Sequence, residues 1–356
     1  MSLLVLFGTR PEAIKLGPVV AALREAHVPL ELLATGQHTT LLRGTPAETD
    51  LAGAGSLGLT SDGNIPRWLA QAERSLGLWL TAHPGVATVI VQGDTMSALA
   101  GARAAKQANR ELVHIEAGVR SHDLENPWPE EGTRIEITRL ADWHFAATPT
   151  AFANLLAEGI PERRIRLTGN SIVSALARYT DAKPQPPQPH ILVTLHRHEL
   201  VRDSARLADV LTGLHEAALA YGPVQFFWPQ HPAVAESSGW LTWPENVRIM
   251  APLPYPTAAL MLASATGVLT DSGGLMEEAA TLGVPCACLR HACDRPEAVE
   301  AGVAVCHLPT RLGVRQGVDA LLQGTLPRRP SAVYGDPTAA SQIARYLERL
   351  VTVEAA

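Results

Sequence analysis

Short apolar runs alternate with longer stretches of helical periodicity along almost the whole chain. Residues 3–7 read as a buried strand, followed by a helix over 11–26 with Pro11 in its first turn, where a missing N–H costs little. Residues 30–34 form a second strand. The β-branched run VATVIV at 86–91 is a third, and an Ala-rich helix over 96–108 succeeds it. Strands over 112–115 and 144–146, with helices near 132–141 and from Pro149, complete the first half. The stretch KPQPPQPH at 183–190 then breaks the pattern, its prolines favouring an extended connector. After it the alternation restarts, with strands at 191–194, 225–228, 247–250, 267–270 and 285–289 and helices at 204–221, 257–263 and 275–282. An amphipathic helix at 339–351 closes the chain, and residues 44–65 carry no clear period. Alternating β and α elements imply parallel sheets covered by helices on both faces. The fold class is therefore α/β, in two similar domains, residues 1–180 and 181–338. Ligands of such sheets sit at the carboxyl ends of the strands.

Composition narrows the function classes. Of 356 residues, 46% are hydrophobic and 18% charged, enough for two ordinary cores. The balance of 29 Lys and Arg against 35 Asp and Glu gives −6, which argues against a nucleic-acid partner. The N-terminus lacks the basic region and cleavage site of a signal peptide, and no apolar run is long enough to span a bilayer. A cytoplasmic protein without membrane insertion is expected. The four cysteines, Cys286, Cys288, Cys293 and Cys306, lack the paired spacing of a structural zinc site. Cys286 and Cys288 alternate in an apolar run and read as small buried side chains on one strand face.

Polar clusters stand at the ends of the apolar strands. In the first, Gly8-Thr9-Arg10-Pro11-Glu12 with Lys15, a sharp turn leaves backbone N–H groups open at a helix start beside two cations. That suits a phosphate, or is an incidental surface turn. In Gln92-Gly93-Asp94-Thr95, Asp94 is either a catalytic acid or the cap of the next helix. Glu116 closes an apolar strand, and Glu130, Glu131 and Arg134 follow a proline-stiffened loop. Carboxylates converging there can divide general-acid and general-base work, or Glu130 and Glu131 are first-turn helix charges. His196, Arg197, His198 and Glu199 end the first strand after the connector, suiting an anion or proton transfer; no third ligand stands at a metal spacing. Ser272, Gly273 and Gly274 open a helix after Asp271, offering donors to a pyrophosphate, and Glu278 lies one turn on for ribose hydroxyls. Arg295 is a further anion ligand, or a solvated loop residue.

Ten strings in order, FGTRPEAIK at 7–15, TGQH at 35–38, QGDT at 92–95, HIEAGVRS at 114–121, PWPEEGTR at 127–134, TGN at 168–170, TLHRHE at 194–199, TDSGGLMEEAATLGVP at 270–285, RPEAV at 295–299 and YGD at 334–336, cover essentially the whole chain. Together they resemble the bacterial non-hydrolysing UDP-N-acetylglucosamine 2-epimerase family. The resemblance implies a glycosyltransferase-B-like pair of Rossmann-like domains, an active site in the cleft between them, a C-terminal helix (339–356) that returns to the first domain, and a homodimer. It implies reversible conversion of UDP-N-acetylglucosamine to UDP-N-acetylmannosamine through UDP elimination, a glucal and re-addition, for cell-surface polysaccharide precursors, with no metal or cofactor. By matching position, Asp94, Glu116, Glu130 and His196 resemble the acid/base set. Arg10, Lys15, Arg134, Arg197, Pro252, Tyr255, Ser272, Gly273, Gly274, Glu278 and Arg295 resemble substrate and UDP ligands. Gln37 and His38 resemble part of a second, activating substrate site.

The chain departs from the family pattern at several places. It reads His196-Arg197-His198-Glu199 for H-R-R-E, Glu130-Glu131-Gly132-Thr133-Arg134 for E-E-A-N-R, and Ala292-Cys293 for a Thr pair before Arg295. An acid-rich turn before Tyr255 becomes Ala251-Pro252-Leu253-Pro254. Three rival readings are a hydrolysing relative releasing UDP and N-acetylmannosamine, a glycosyltransferase of the same fold, and a non-catalytic sugar-nucleotide sensor.

Overall fold

The computed structural model describes residues 1–36, 45–179 and 189–353. Gln37, His38 and residues 183–188 of the proline-rich stretch lie outside the described residues. The chain divides into two compact units, Met1–Ala175 with Gly335–Ala356, and Leu176–Tyr334.

The first unit is built on seven parallel strands: β1 (Ser2–Phe7), β2 (Leu30–Ala34), β3 (Gly55–Ser56), β4 (Val86–Gln92), β5 (Glu111–Ala117), β6 (Trp143–Ala146) and β7 (Ile165–Leu167), in the order β3-β2-β1-β4-β5-β6-β7. Strand side chains alternate between faces, and β1 shows the consequence. Leu3, Val5 and Phe7 share one core with Leu16, Val20 and Leu23 of the Arg10–Glu25 helix and with Ile343 and Leu347 of the Ala339–Val353 helix. Leu4 and Leu6 enter another core with Trp68, Leu76 and Leu80 of the Ile65–Ala82 helix and the alanines of the Met96–Gln107 helix. The Ile65–Ala82 helix begins where periodicity was expected to be unreadable. Its buried stripe, Trp68, Ala72, Leu76 and Leu80, recurs every fourth residue, as one helical face does.

The second unit has six parallel strands: β8 (His190–Thr194), β9 (Gln225–Pro229), β10 (Val247–Met250), β11 (Gly267–Thr270), β12 (Cys286–Leu289) and β13 (Ala304–His307), ordered β10-β9-β8-β11-β12-β13. The Ser204–Ala220 and Arg311–Leu322 helices pack on it through Leu207, Leu211 and Leu214 and through Val314, Val318 and Leu321. Both units are thus Rossmann-like. In each sheet the strand order reverses direction once, between β1 and β4 and between β8 and β11. At such a point the two following connections leave toward opposite faces, opening a crevice outside the strand ends.

Leu347 is fully buried between the last helix and the β1 core. Leu347→Ala is expected to lower the unfolding free energy of the first unit by about 2–4 kcal/mol. A urea titration checks this, and a loss below about 1 kcal/mol would show that the returning helix is not integral to that core.

Candidate active site

In the first unit the polar clusters meet where β1, β4 and β5 end. Gly8 follows β1, and its identity is set by packing: a Cβ there would lie 1.8 Å from Ser97 Oγ. The backbone amides beyond it are not open, contrary to expectation. Glu12 folds back so that its Oε2 accepts from Gly8 N–H (3.1 Å), Thr9 N–H (2.7 Å) and Thr9 Oγ1 (2.7 Å). Its Oε1 accepts from Thr95 Oγ1 at 2.8 Å. The helix start has therefore capped itself with a carboxylate, because buried N–H donors left unsatisfied would cost about 1–3 kcal/mol each. Burial pushes the Glu12 carboxyl up to about 7, against the pull of these hydrogen bonds.

Arg10 is the first residue of that helix and is half-buried. Lys15, one turn further and buried, places Nζ 2.5 Å from Glu116 Oε2, and Gln92 Nε2 donates to the same oxygen at 2.8 Å. Glu116 has φ +63°, a left-handed conformation uncommon outside glycine, at a shift of register between Ile115 and Ala117. The bulge re-aims the side chain toward β4 and Lys15, at a backbone cost of roughly 1–3 kcal/mol.

Asp94 does not cap the next helix. Thr95 does, its Oγ1 accepting from Ala98 N–H at 3.0 Å. Asp94 is released to pair with Arg134, whose Nε and Nη2 lie 2.8 and 2.7 Å from Asp94 Oδ2. Arg134 also donates to Glu131 at 3.1 Å. Glu130 and Glu131 are the first two residues of the Glu130–Leu140 helix, which starts two residues earlier than expected. Glu130 is half-buried. Glu131 is more than a first-turn charge: it is buried and accepts from the Ser121 and His122 N–H groups at 2.9 and 3.1 Å, pinning the loop after β5. His114, fully buried on β5, is pushed down to about 3 by desolvation, so its neutral ring donates Nε2–H to the Gly93 carbonyl at 2.8 Å.

In the second unit the corresponding point lies at the ends of β8 and β11. Asp271, buried, accepts from the His196 and Arg197 N–H groups at 2.7 and 2.8 Å through one oxygen, while its other oxygen is 3.1 Å from His196 Nδ1. Burial alone would lower the imidazole's pKa; the Asp271 carboxylate outweighs it and holds the ring above its ordinary value. The same pairing keeps Asp271 below the usual carboxylate range in spite of its burial. The His196 side chain is 41% exposed, so a ligand can reach a ring whose charge is already neutralised on one side. Ser272 caps the Gly273–Leu282 helix, and both glycines occupy its first turn rather than preceding it. Glu278 is half-buried on this helix. Pro252 is exposed, and Tyr255, first residue of the Tyr255–Ser264 helix, is buried edge-on against Tyr179 with ring centroids 5.2 Å apart. Arg295 is not a solvated loop residue: it is buried, bonds Glu277 and lies 3.3 Å from Asp294. Among the described residues no group of three His, Cys, Asp or Glu side chains is arranged to hold a metal.

The structure brings together Lys15 with Glu116 and Asp94 with Arg134 in one unit, and His196, Arg197 and the Ser272 turn around Asp271 in the other. Roles for Glu12, Gln92, Asp271 and Glu277 are legible in sequence only through position. Gln92 ends β4 and Asp271 directly follows β11, whereas Glu12 and Glu277 lie in the first and second turns of the helices that come next, and the bonding direction of each appears only with the backbone.

The sequence profile described as UDP-N-acetylglucosamine 2-epimerase matches residues 21–348. The UDP-N-acetylglucosamine 2-epimerase of Salmonella typhimurium is 34% identical over 327 residues, covering 85% of each chain. The chain belongs to the UDP-N-acetylglucosamine 2-epimerase family. The Escherichia coli K12 enzyme of that name is 32% identical over 98% of both chains. The Methanocaldococcus jannaschii UDP-GlcNAc 2-epimerase, solved with UDP-GlcNAc and UDP, superposes with a TM-score of 0.90 at 30% identity over 98% of this chain and all of that one. The Neisseria meningitidis family member bound to UDP-GlcNAc gives 0.91 at 29% identity, over 98% of this chain and all of that one. The galactosyltransferase WaaB, at 14% identity and 0.55 over 99% of this chain and all of that one, shares the fold alone, which is glycosyltransferase-B-like.

The His196–Asp271 pair carries a pH signature. With the folded histidine raised and the folded aspartate lowered, the pair stabilises fully from above the ordinary Asp value of 3.8 to below the ordinary His value of 6.5. The contribution is lost as pH rises through the folded His196 pKa, or falls through that of Asp271. NMR titration is expected to place the His196 ring above 6.5, and Asp271→Asn to return it to or below that value. An unchanged titration in the variant would remove Asp271 as the cause.

Proposed function

We propose that the chain interconverts UDP-N-acetylglucosamine and UDP-N-acetylmannosamine without hydrolysis, by removal of the C2 proton, departure of UDP to leave a glucal, and re-addition of UDP with a proton on the opposite face. The observation that carries the reading is a pair of strand-end carboxylates, Asp94 and Glu116, each held against a buried cation in the first unit. Two-faced proton chemistry needs two positioned groups, one to take a proton from C2 and one to return a proton on the other face, and the two carboxylates are held by different clamps. Glu116 shares one oxygen between Lys15 and Gln92, whereas Asp94 meets the fork of Arg134 and is 26% exposed. Glu130, at the start of the same helix as Arg134, completes the acid/base set.

Departure of UDP develops negative charge, which pre-organised donors stabilise. His196, held by Asp271 and still open to a ligand, supplies a cation, with Arg197 beside it. Ser272, Gly273 and Gly274 supply the amide end of a helix, suited to a pyrophosphate. Arg10, Pro252, Tyr255 and Glu278 complete the proposed substrate contacts. Arg295, engaged with Glu277, acts here by holding the Pro296–Glu300 segment against the phosphate-binding helix.

Proton NMR in deuterated water with UDP-N-acetylglucosamine tests the reading. Deuterium at C2 together with UDP-N-acetylmannosamine is expected; accumulating free UDP and free sugar would instead show hydrolysis. Glu116→Gln and Asp94→Asn should each slow C2 exchange by about 10²–10⁴-fold, the range for loss of a general acid or base. Calorimetric UDP affinity should change little. Turnover within a few-fold of the parent in either variant would falsify the assignment.

A further inference from the structure

Away from the strand-end carboxylates, charge also collects at the opposite edge of the first sheet. β5, β6 and β7 run parallel, so Arg110, Asp142 and the Glu162–Arg164 turn, which directly precede them, stand together at their amino ends. A cavity of about 780 Å³ opens there, within the roughly 300–1,000 Å³ of small-ligand sites. Five cations line it, Lys106, Arg110, Arg163, Arg164 and Arg166, against two acids, Glu111 and Asp142. In a chain whose acids outnumber its bases, that local excess of positive charge requires a cause.

Both acids are already engaged. Asp142 accepts from Lys106 Nζ at 2.8 and 3.0 Å and from the Leu112 N–H at 2.9 Å. Glu111 accepts from Trp143 Nε1 at 2.7 Å and from Thr88 Oγ1 at 3.2 Å. Among the described residues no carboxylate pairs with Arg110, Arg163, Arg164 or Arg166. Arg166 is held by other means. Its guanidinium lies 5.0 Å from the Trp143 ring centre and 5.5 Å from that of Tyr346, and its Nη1 donates to the Arg163 and Ile165 carbonyls at 2.8 Å each. Arg110 is half-buried, and its Nε is fully buried with no acceptor among the described residues. A buried guanidinium N–H left without an acceptor is costly, and an anion in the cavity supplies one. A second cavity of about 510 Å³ shares Glu111, Trp143 and Arg166 with the first, and its remaining lining is mostly apolar, with Phe145, Tyr346 and Leu350.

We propose that the arginine-lined cavity binds a phosphoryl dianion, at a site separate from the strand-end site of the same unit. Guanidinium groups match the oxygen geometry of phosphate and are hydrated weakly enough to exchange water for it. The anion stands against Arg110, Arg163 and Arg164, the three arginines that neither a carboxylate nor an aromatic ring engages. Where the dianion belongs to an organic phosphate, its apolar body extends past Trp143 toward Tyr346 and Leu350 in the adjoining cavity.

Calorimetric titration of the full chain with phenyl phosphate and, separately, with inorganic phosphate tests this, with UDP present so that neither anion is taken up at the Ser272 turn. Saturable binding at a single site per chain is expected. Arg110→Gln should weaken it by about tenfold or more, the range for losing a hydrogen bond to a charged group. Should that variant fold poorly by circular dichroism, the exposed pair changed together, Arg163→Gln with Arg164→Gln, should weaken binding by roughly two- to fivefold, as loss of exposed charge does. Tighter binding of phenyl phosphate would identify an organic phosphate, and equal affinities would identify free phosphate; both uphold the site. Failure of either anion to bind, or affinities unchanged in the arginine variants, would overturn the proposal.

Discussion

A strand buried on both faces has nowhere to place a charge except at its end. Both sheets obey this constraint, and the chemistry of the molecule follows from it. β1, β4, β8 and β11 contain no Asp, Glu, Lys or Arg; Asp94, His196 and Asp271 stand one or two residues beyond their ends, and Glu12 lies in the first turn of the helix after β1. Because strand order reverses between β1 and β4 and again between β8 and β11, the connections part at those points and leave room between the ends. Charges gathered in a half-buried space must be paired, and they are: Lys15 with Glu116, Arg134 with Asp94 and Glu131, His196 with Asp271, Arg295 with Glu277. Such pairs contribute little net stability, since desolvation offsets attraction. Their value is positional: each holds a reactive group in one orientation before any ligand arrives.

The two units use one geometry for opposite electrostatic ends. The first gathers carboxylates, and its cations are spent in clamping them. The second uses one buried acid, Asp271, to hold two backbone amides and an imidazole facing outward. A carboxylate-rich site suits moving protons from carbon, and a donor-rich site suits a leaving diphosphate.

Much of this was legible in the residues. β2, β10 and β11 coincide with the runs read from hydrophobicity, because β-branched and leucine-rich segments between turn residues have few other options. The Ile65–Ala82 helix was not placed, although its four-residue stripe is plain once its start at Asn64 is known. The strand ends were found, but not the direction of their side chains. Asp94 and Thr95 are both good caps, and only the backbone decides that Thr95 bonds the Ala98 amide and frees Asp94. Likewise no pattern announces that Glu116 adopts a left-handed φ and turns to Lys15, or that Glu12 closes the amides beside it.

The Ala339–Val353 helix, packed into the β1 core, makes the first unit discontinuous in sequence while Leu176–Tyr334 is continuous. During synthesis the ribosome therefore delivers every residue of the later unit before the earlier one has received its last helix. The nascent first unit waits with the apolar surface around Leu16 and Val20 uncovered for the time needed to translate more than 160 further residues, about 10–30 s at ordinary elongation rates. The segment that emerges second is thus the one that can finish first, and protection of the exposed patch in that interval falls to whatever holds nascent chains in solution.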